Sequence, residues 1–300
     1  MEYSINTQYV KLFHFGGKTM KRLISIFLIV FTILSLGSCS KKSSKKSAKD
    51  DDEIIFSDFV GIDNKECKIS ITSFEVDKDV CTLKVELENK SSDKGYIFTL
   101  SGSTINGVKC DSYFYTNVSA GKKAKEEIEI STGKLKENGI NNFTDIAITF
   151  RVYDNENLMA DDTVNETVHV YPYGEDKAEN YVRASLDTDK VLLDNEYATI
   201  TLIGKEKTKY GYSIELYVLN KSDSKLVFTA SNVSINDYMV SASFYESLLS
   251  QTAAFAEMTW SKDTLEENDI SDVERIDFEL TMYKPTDLYF SITEEITIIP

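Results

Sequence analysis

Residues 83–88 read Leu-Lys-Val-Glu-Leu-Glu, a strict alternation of apolar and charged side chains. Successive side chains of a β-strand point to opposite faces of its sheet, so this alternation predicts a strand with one buried and one wet face. Residues 214–218, 146–152 and 276–282 alternate in the same way. Together these stretches predict an all-β fold.

The chain around these stretches contains an internal sequence repeat. Residues 89–91 and 220–222 both read Asn-Lys-Ser, and residues 105–106 and 235–236 both read Ile-Asn. Further matches keep nearly the same spacing; they are Phe98 with Phe228, Tyr115 with Tyr245 and Leu135 with Leu265. The repeat predicts two tandem domains, residues 54–174 and 175–300, each with its own core.

Turn signals divide each copy into short strands. Asn106-Gly107 predicts a tight hairpin because both residues tolerate positive φ, and Asn236-Asp237 stands at the corresponding place. Residues 135–139 and 263–269 each predict a short helical turn. About seven short strands in each copy predict two tandem Ig-like β-sandwich domains, with a β-barrel as the alternative.

The N-terminal region has the pattern of an export signal. Met20-Lys21-Arg22 precedes an uncharged apolar run at residues 23–36, and this run is shorter than the roughly 20 residues that a bilayer-spanning helix needs. We predict a signal peptide over residues 1–38. Translation could begin at Met1 or at Met20, and a short hydrophobic anchor is the alternative to a cleaved signal.

The end of this signal carries a modification motif. Leu36-Gly37-Ser38-Cys39 resembles the lipobox of bacterial lipoproteins, in which signal peptidase recognises the first three residues and the cysteine receives a diacylglyceryl group. Residues 39–53, rich in Lys, Ser and Asp, predict a disordered, flexible tether beyond this anchor. Contact of its lysines with anionic headgroups is the alternative role.

The body of the chain resembles a known family. Residues 103–107, 118–124, 135–140 and 145–146 resemble the Ig-like domain of exported lipoproteins from low-GC Gram-positive bacteria. More distantly, they resemble the telokin-like immunogenic secreted β-sandwich of actinobacteria. The resemblance implies the fold and carries no agreed catalytic motif. The second copy departs from it at residues 250–252 and at Asp269, which stands in the place of Gly139.

The charge and histidine content of the chain restrict the classes of partner and site that it can have. The chain has 33 Lys+Arg against 49 Asp+Glu, a formal net charge of −16. Because nucleic-acid binding needs a clustered basic surface, nucleic acid is excluded as a partner. With 2 His in the chain, imidazole-based catalysis and multi-His metal sites are disfavoured. No cofactor is predicted apart from the covalent diacylglyceryl group on Cys39.

Three cysteines follow Cys39, all in the first copy: Cys67, Cys81 and Cys110. Strand parity places Cys67 with Ile69 and Cys81 with Leu83, so both thiols should point inward. Buried small hydrophobic residues are the favoured interpretation. A Cys67–Cys81 disulfide is the alternative, since an exported protein meets oxidising conditions.

Two groups of side chains are candidate ligand sites. Asp154, Glu156, Asp161 and Asp162 crowd one loop and are weak calcium candidates without the spacing of a known calcium loop; a solvated turn is the alternative. Tyr171, Tyr173 and Tyr181 flank the boundary between the copies, where a ligand groove or interdomain packing could use them. Trp260 takes the place of Ile130 in the repeat and is predicted to lie in the core.

These features predict a lipid-anchored protein on the extracytoplasmic face of the cell membrane. Its sandwiches would present a non-catalytic interaction module to an envelope protein or glycan. An envelope hydrolase that uses paired carboxylates is one alternative, and a structural spacer is the other.

Overall fold

The computed structural model describes residues 54–158 and 161–300. The predicted signal peptide, the lipidation residue Cys39 and the tether lie outside the described residues. The described residues belong to one compact unit. Within the described ranges, no helix combines the length and the apolar character that crossing a bilayer requires.

The first copy contains ten strands and one short helix in its described residues. Their bounds are β1 Phe59–Asp63, β2 Cys67–Asp77, β3 Val80–Asn89, β4 Tyr96–Ile105, β5 Val108–Lys109, β6 Ser112–Tyr113, β7 Tyr115–Val118, β8 Lys123–Ser131, α1 Gly133–Glu137, β9 Ile146–Asp154 and β10 Val164–Val170.

A single 3-10 turn at Glu175–Lys177 precedes the strands of the second copy. Their bounds are β11 Lys190–Asp194, β12 Ala198–Thr208, β13 Gly211–Asn220, β14 Leu226–Ile235, β15 Tyr238–Met239, β16 Tyr245–Leu248, β17 Ala253–Ser261, α2 Lys262–Glu267, β18 Ile276–Lys284 and β19 Asp287–Ile298.

Each copy is a sandwich of two sheets. In the first copy the strand orders are β1-β2-β3-β8-β6 and β10-β9-β4-β5, and in the second they are β11-β12-β13-β17 and β15-β14-β18-β19. The inward side chains form one buried apolar cluster in each copy. The predicted all-β, Ig-like sandwich is therefore confirmed, and the barrel alternative is wrong because the two sheets of a copy remain separate.

The two copies share their irregularities as well as their strands. Each has a register shift between its first and second strands and another between its second and third. These shifts lie at Val60/Ile62 and Ile71/Ser73 in the first copy, and at Val191/Leu193 and Leu202/Gly204 in the second. Because a bulge bends a strand at a defined position, matching bulges give the two sandwiches matching curvature.

The asparagines that mark the repeat hold turns together inside the fold. Asn89 and Asn220 are buried, at 1% and 0% exposure. The amide of Asn89 donates to the carbonyl oxygens of Lys94 at 2.7 Å and Val118 at 2.8 Å. Asn220 donates in the same way to Ser224 and Leu249, both at 2.8 Å. These repeated residues satisfy buried backbone groups and thus specify the fold.

The predicted turns are confirmed. Asn106 and Gly107 adopt φ of 51° and 76° between β4 and β5, and Gly139 adopts φ of 81° just after α1. In the second copy Asp269 takes the left-handed conformation of Gly139, with φ of 56°. Trp260 is 2% exposed in the second core, as predicted.

The favoured interpretation of the cysteines is confirmed. Cys67 and Cys81 point inward with 0% exposure, Cys110 is also buried, and all three are free thiols. The disulfide alternative is wrong because Cys67 pairs with Asn89 and Cys81 with Val76, at opposite ends of the β2–β3 hairpin. Along β2 this separates them by roughly 30 Å, since a strand rises about 3.3 Å per residue.

Candidate functional site

The hairpin of the first copy connects the two sandwiches. Val108 of β5 pairs in parallel with Ala253 of β17, which makes one nine-stranded sheet from a sheet of each copy. The Ala253 amide donates to the Gly107 carbonyl oxygen at 2.9 Å. Asn106 fixes this hairpin, because its side-chain oxygen accepts from the amides of Thr144 at 2.9 Å and Asp145 at 3.1 Å. A turn that the sequence predicts locally therefore also joins the copies.

Three aromatic side chains, those of Phe255, Tyr217 and Tyr181, pack together where the copies meet, and we call them the aromatic seam. Phe255 lies on the outward face of the second copy, yet it is 7% exposed and belongs to the core cluster of the first. Its ring lies 5.2 Å from that of Tyr217 and 6.1 Å from that of Tyr181. Burial raises the pKa of Tyr217 to about 12. Each such ring pair adds about 0.5–1.5 kcal/mol to the effect of burial alone.

An ion pair packs against the aromatic seam. The Arg183 guanidinium donates to both carboxylate oxygens of Asp189, at 2.5 and 2.9 Å, and both side chains are largely buried. The bond from Arg183 holds the pKa of Asp189 below its usual range. Arg183 also lies over the Tyr217 ring, 5.9 Å from its centroid. The segment between the copies is thus fixed to the seam by a charged group as well as an apolar one.

A cavity of about 240 Å³ is lined by both copies. We call it the junction cavity; its lining includes Ser103, Lys109 and Asp111 from the first copy and Ser247, Leu249 and Thr252 from the second. The Ser247 hydroxyl oxygen is buried and has no hydrogen-bond partner among the described residues. Buried polar atoms are normally satisfied, so this hydroxyl marks an unmet hydrogen-bonding position.

Lys225 has two cations near it, Lys109 and Arg151, of which only Lys109 lines the junction cavity. Lys109 of the first copy pairs with Glu246 of the second at 2.6 Å, and Arg151 pairs with Asp162 at 2.7 Å. Lys225 is half-buried and has no ion pair or hydrogen bond to any described residue. Burial first, and then the charges of Lys109 and Arg151, lower the pKa of Lys225. The carboxylates of Glu246 and Asp162 offset the charges of Lys109 and Arg151, and the Asp111 carboxylate also lines the cavity.

The three tyrosines predicted to line a groove make different contacts. Tyr181 packs in the seam, and its amide donates to the Asn106 carbonyl oxygen at 2.8 Å. Tyr171 stacks on His169 of β10, with ring centroids 5.6 Å apart. Tyr173 is half-buried beyond β10. A ligand role for these three residues stays a prediction.

The calcium candidates are engaged with other groups. Asp154 accepts from the Glu156 amide at 2.9 Å and pairs with Lys94 at 3.3 Å, while Asp162 pairs with Arg151. Asp161 is exposed. Across the part of the chain that the structure describes, no group of three or more His, Cys, Asp or Glu side chains is arranged to hold a metal ion.

The sequence predictions did not include Lys225, Ser247 or Phe255. A signal for Phe255 was present, because it occupies the outward parity of its strand where the first copy has Lys125. An apolar residue at an outward position in one copy alone indicates a covered surface. Lys225 and Ser247 carry no comparable signal, since polar residues near strand ends are common.

No protein-family model matches this chain, and no curated protein matches it. Solved structures with some similarity include CBD12 from CALX1.2, at 12% identity over 69% of this chain and 76% of that one, with a TM-score of 0.20. A protein of unknown function from Porphyromonas gingivalis W83 is 9% identical over 78% of this chain and 99% of its own, with a TM-score of 0.25. Red sea bream transglutaminase is 9% identical over 79% of this chain and 31% of its own, with a TM-score of 0.24. Similarities of this size carry no argument about activity or ligand.

Proposed function

We propose that this chain is a membrane-anchored surface lipoprotein whose two joined sandwiches present a non-catalytic binding module. The anchor is the diacylglyceryl group on Cys39, after removal of the signal peptide that ends in Leu36-Gly37-Ser38. The tether then holds the module at the extracytoplasmic face of the membrane. The family resemblance supports a low-GC Gram-positive host and a partner in its envelope.

The half-buried Lys225, which lies near Lys109 and Arg151 and has no ion pair with any described residue, carries the binding part of this proposal. A charge that is partly removed from water is costly unless another group compensates it. The orphan hydroxyl of Ser247 adds a second unmet interaction in the same place. A structural spacer needs neither, so this observation favours binding over spacing.

The carboxyl groups favour binding over hydrolysis. The general acid of a glycosidase needs a raised pKa to stay protonated. Every described carboxyl group with a shifted pKa has that pKa lowered. Hydrogen bonds to cations are the main cause in several of these groups, such as the bond from Lys221 to Asp194 and the bond from Arg275 to Asp277.

The thiols also lack the character of nucleophiles. Burial raises the pKa of Cys67 to about 11, and raises the pKa values of Cys81 and Cys110 to about 12. The thiolate is the reactive form of cysteine, so these side chains are largely inert at neutral pH. The only histidine of the described residues, His169, is paired with Asp145 at 2.8 Å on the surface of β10.

The anchor is tested by Cys39→Ser in a Gram-positive host supplied with labelled fatty acid. We expect the wild-type chain to take up label and to remain with the membrane. The C39S chain should lose the label and either leave the membrane or persist as an uncleaved precursor. Ser44→Ala, which leaves the motif intact, is the matched control and should behave as wild type. A C39S chain that is still labelled and processed would refute the lipid anchor.

A further inference from the structure

An apolar patch lies at the start of the first sandwich, and we call it the N-terminal patch. It comprises three exposed aliphatic residues and three half-buried phenylalanines, which are Ile54, Ile55, Val76, Phe56, Phe59 and Phe74. Ile55 is 63% exposed and Val76 is 44% exposed. The Phe56 ring lies 6.3 Å from that of Phe59 and 6.4 Å from that of Phe74, so it joins the N-terminal segment to β1 and β2. Exposed apolar clusters of this kind mark contact surfaces.

The N-terminal patch is part of the folded body. The Ile55 amide donates to the Pro172 carbonyl oxygen at 2.9 Å, which fixes this segment just beyond the end of β10. The three phenylalanines pack against the buried cluster of the first copy. Val76 follows Phe74 by two residues on β2, so both side chains lie on the same face of that strand. The patch is therefore a formed surface of the first sandwich.

The second copy has exposed charged residues at four of the corresponding positions. Counted 131 residues later, the replacements are Asp187 for Phe56, Lys190 for Phe59, Lys205 for Phe74 and Lys207 for Val76. The strand register supports this alignment, because Phe74 pairs with Leu83 and Lys205 pairs with Ile214. The sandwich fold thus forms without apolar side chains at these places. An apolar surface that only one copy carries indicates that this copy is covered there.

We propose that the N-terminal patch lies on the lipid bilayer and orients the first sandwich against it. This inference deepens the proposed function and rests on its lipid anchor. The patch follows directly on the predicted tether, the 15 residues 39–53. A flexible chain of that length has a root-mean-square end-to-end distance of roughly 20 Å. The anchor therefore holds the patch close to the bilayer and raises its effective concentration there.

The charges near the patch favour apolar insertion over electrostatic attraction. Glu75 and Asp77 alternate with the patch residues of β2 and so point to the opposite face, where Glu75 pairs with Lys84 at 3.5 Å. Asp58 adjoins the patch and is exposed. Residues 40–53 contain five lysines and four acidic residues, so they add little net charge. We infer that the patch enters the boundary between headgroups and acyl chains, about 5–10 Å deep, as apolar faces of interfacial segments do.

Tryptophan quenching in vesicles tests this contact. The Ile55→Trp variant of the full lipidated chain is reconstituted in phosphatidylcholine vesicles whose acyl chains are brominated near the headgroup, and the emission of Trp260 is subtracted. Bromine quenches at short range, so the I55W emission should fall by about half at the interfacial depth. High salt should not change this quenching, because the contact is apolar. Leu186→Trp, the corresponding exposed position of the second copy, is the matched control and should be quenched little.

Substitutions in the patch separate lipid contact from fold stability. Ile54→Ser with Val76→Lys gives the first copy the residues that the second copy has at these two positions. Both side chains are exposed, so the melting temperature should change by no more than about 2 °C. The quenching of I55W should fall about threefold in this background, because part of the apolar surface is lost. Val191→Lys, at an exposed apolar position of the second copy, is the matched control and should leave the quenching unchanged.

Three results would overturn the inference. They are an I55W emission that brominated lipid does not quench, quenching that I54S/V76K leaves unchanged, and a blue shift of I55W without quenching, which would place this residue against protein. Vesicle flotation separates this failure from a wider one. A lipidated chain that floats with the vesicles but shows no quenching keeps its anchor, and only the patch contact is wrong. A chain that carries no lipid when made in the cell refutes the proposed anchor itself.

Discussion

The outward faces of two equivalent strands differ in the two copies. In the first copy, β8 presents Lys123 and Lys125, which pair across the sheet with Glu88 at 3.0 Å and Glu86 at 3.6 Å. In the second copy, the corresponding positions of β17 are Ala253 and Phe255, which are 3% and 7% exposed. The outward face of β8 in the first copy thus carries exposed ion pairs, whereas the outward face of β17 in the second copy is buried in a contact.

The cross-strand neighbours change together with these residues. Phe255 pairs in register with Tyr217, where the first copy pairs Lys125 with Glu86. Lysines on the face of a strand resist burial against another surface, whereas apolar side chains favour it. The difference explains why the second copy accepts the hairpin of the first while the first copy presents no such surface. The repeat supplies the sandwich, and these few departures from it supply the junction.

The most stringent test of this difference is to give the second copy the residues of the first. The double substitution Tyr217→Glu and Phe255→Lys should keep the cross-strand pair but open the junction. We expect a loss of about 3–5 kcal/mol in the free energy of unfolding, the usual cost of removing a buried Phe. Denaturation followed by the fluorescence of Trp260, which lies in the second core, measures this loss.

The matched control exchanges the two charges in the first copy, Glu86→Lys with Lys125→Glu. These side chains lie on a free surface, so the unfolding free energy should change by no more than about 0.5 kcal/mol. Equal losses in the two double variants would contradict the distinction between a junction face and a free face.

A smaller effect comes from the two hairpin asparagines. Asn106 accepts from the amides of Thr144 and Asp145, and Asn236 accepts from those of Glu274 and Arg275 at 2.9 and 3.0 Å. Replacing either asparagine with Ala should cost about 1–3 kcal/mol, since it leaves backbone groups unsatisfied.

Only the first of these changes should also loosen the junction, because the hairpin of Asn106 pairs with β17 while Tyr238 and Met239 of the second hairpin are exposed. Limited proteolysis of the segment between the copies measures the loosening. If N236A accelerates cleavage there as much as N106A does, the hairpin of the first copy has no special role.

Local patterns were sufficient to predict much of the fold. The alternation at residues 83–88, the Asn106-Gly107 turn and the core position of Trp260 depend on neighbours in sequence or on the repeat, and all three are present in the structure. The inward parity of Cys67 and Cys81 was predictable for the same reason. Their separation was not, because pairing register depends on where the hairpin between β2 and β3 turns.

The candidate site could not be predicted in the same way. The junction cavity arises where Ser101 and Lys109 meet Ser247 and Leu249, residues that are far apart in sequence and polar in most cases. The surfaces that meet are formed by the outward faces of the two copies. The periodicity of hydrophobic residues in the sequence identifies chiefly the inward faces. Comparing outward positions between the copies would have indicated Phe255 but not the unpaired charge of Lys225.

That the two domains predicted at residues 54–174 and 175–300 meet at a specific junction is the central claim, and amide hydrogen exchange at Ala253 tests it most directly. This amide donates across the junction to Gly107 at 2.9 Å. We predict slow exchange in the wild-type chain and fast exchange in the Y217E/F255K variant, with other amides of β17 still protected. Fast exchange at Ala253 in the wild-type chain would contradict the claim.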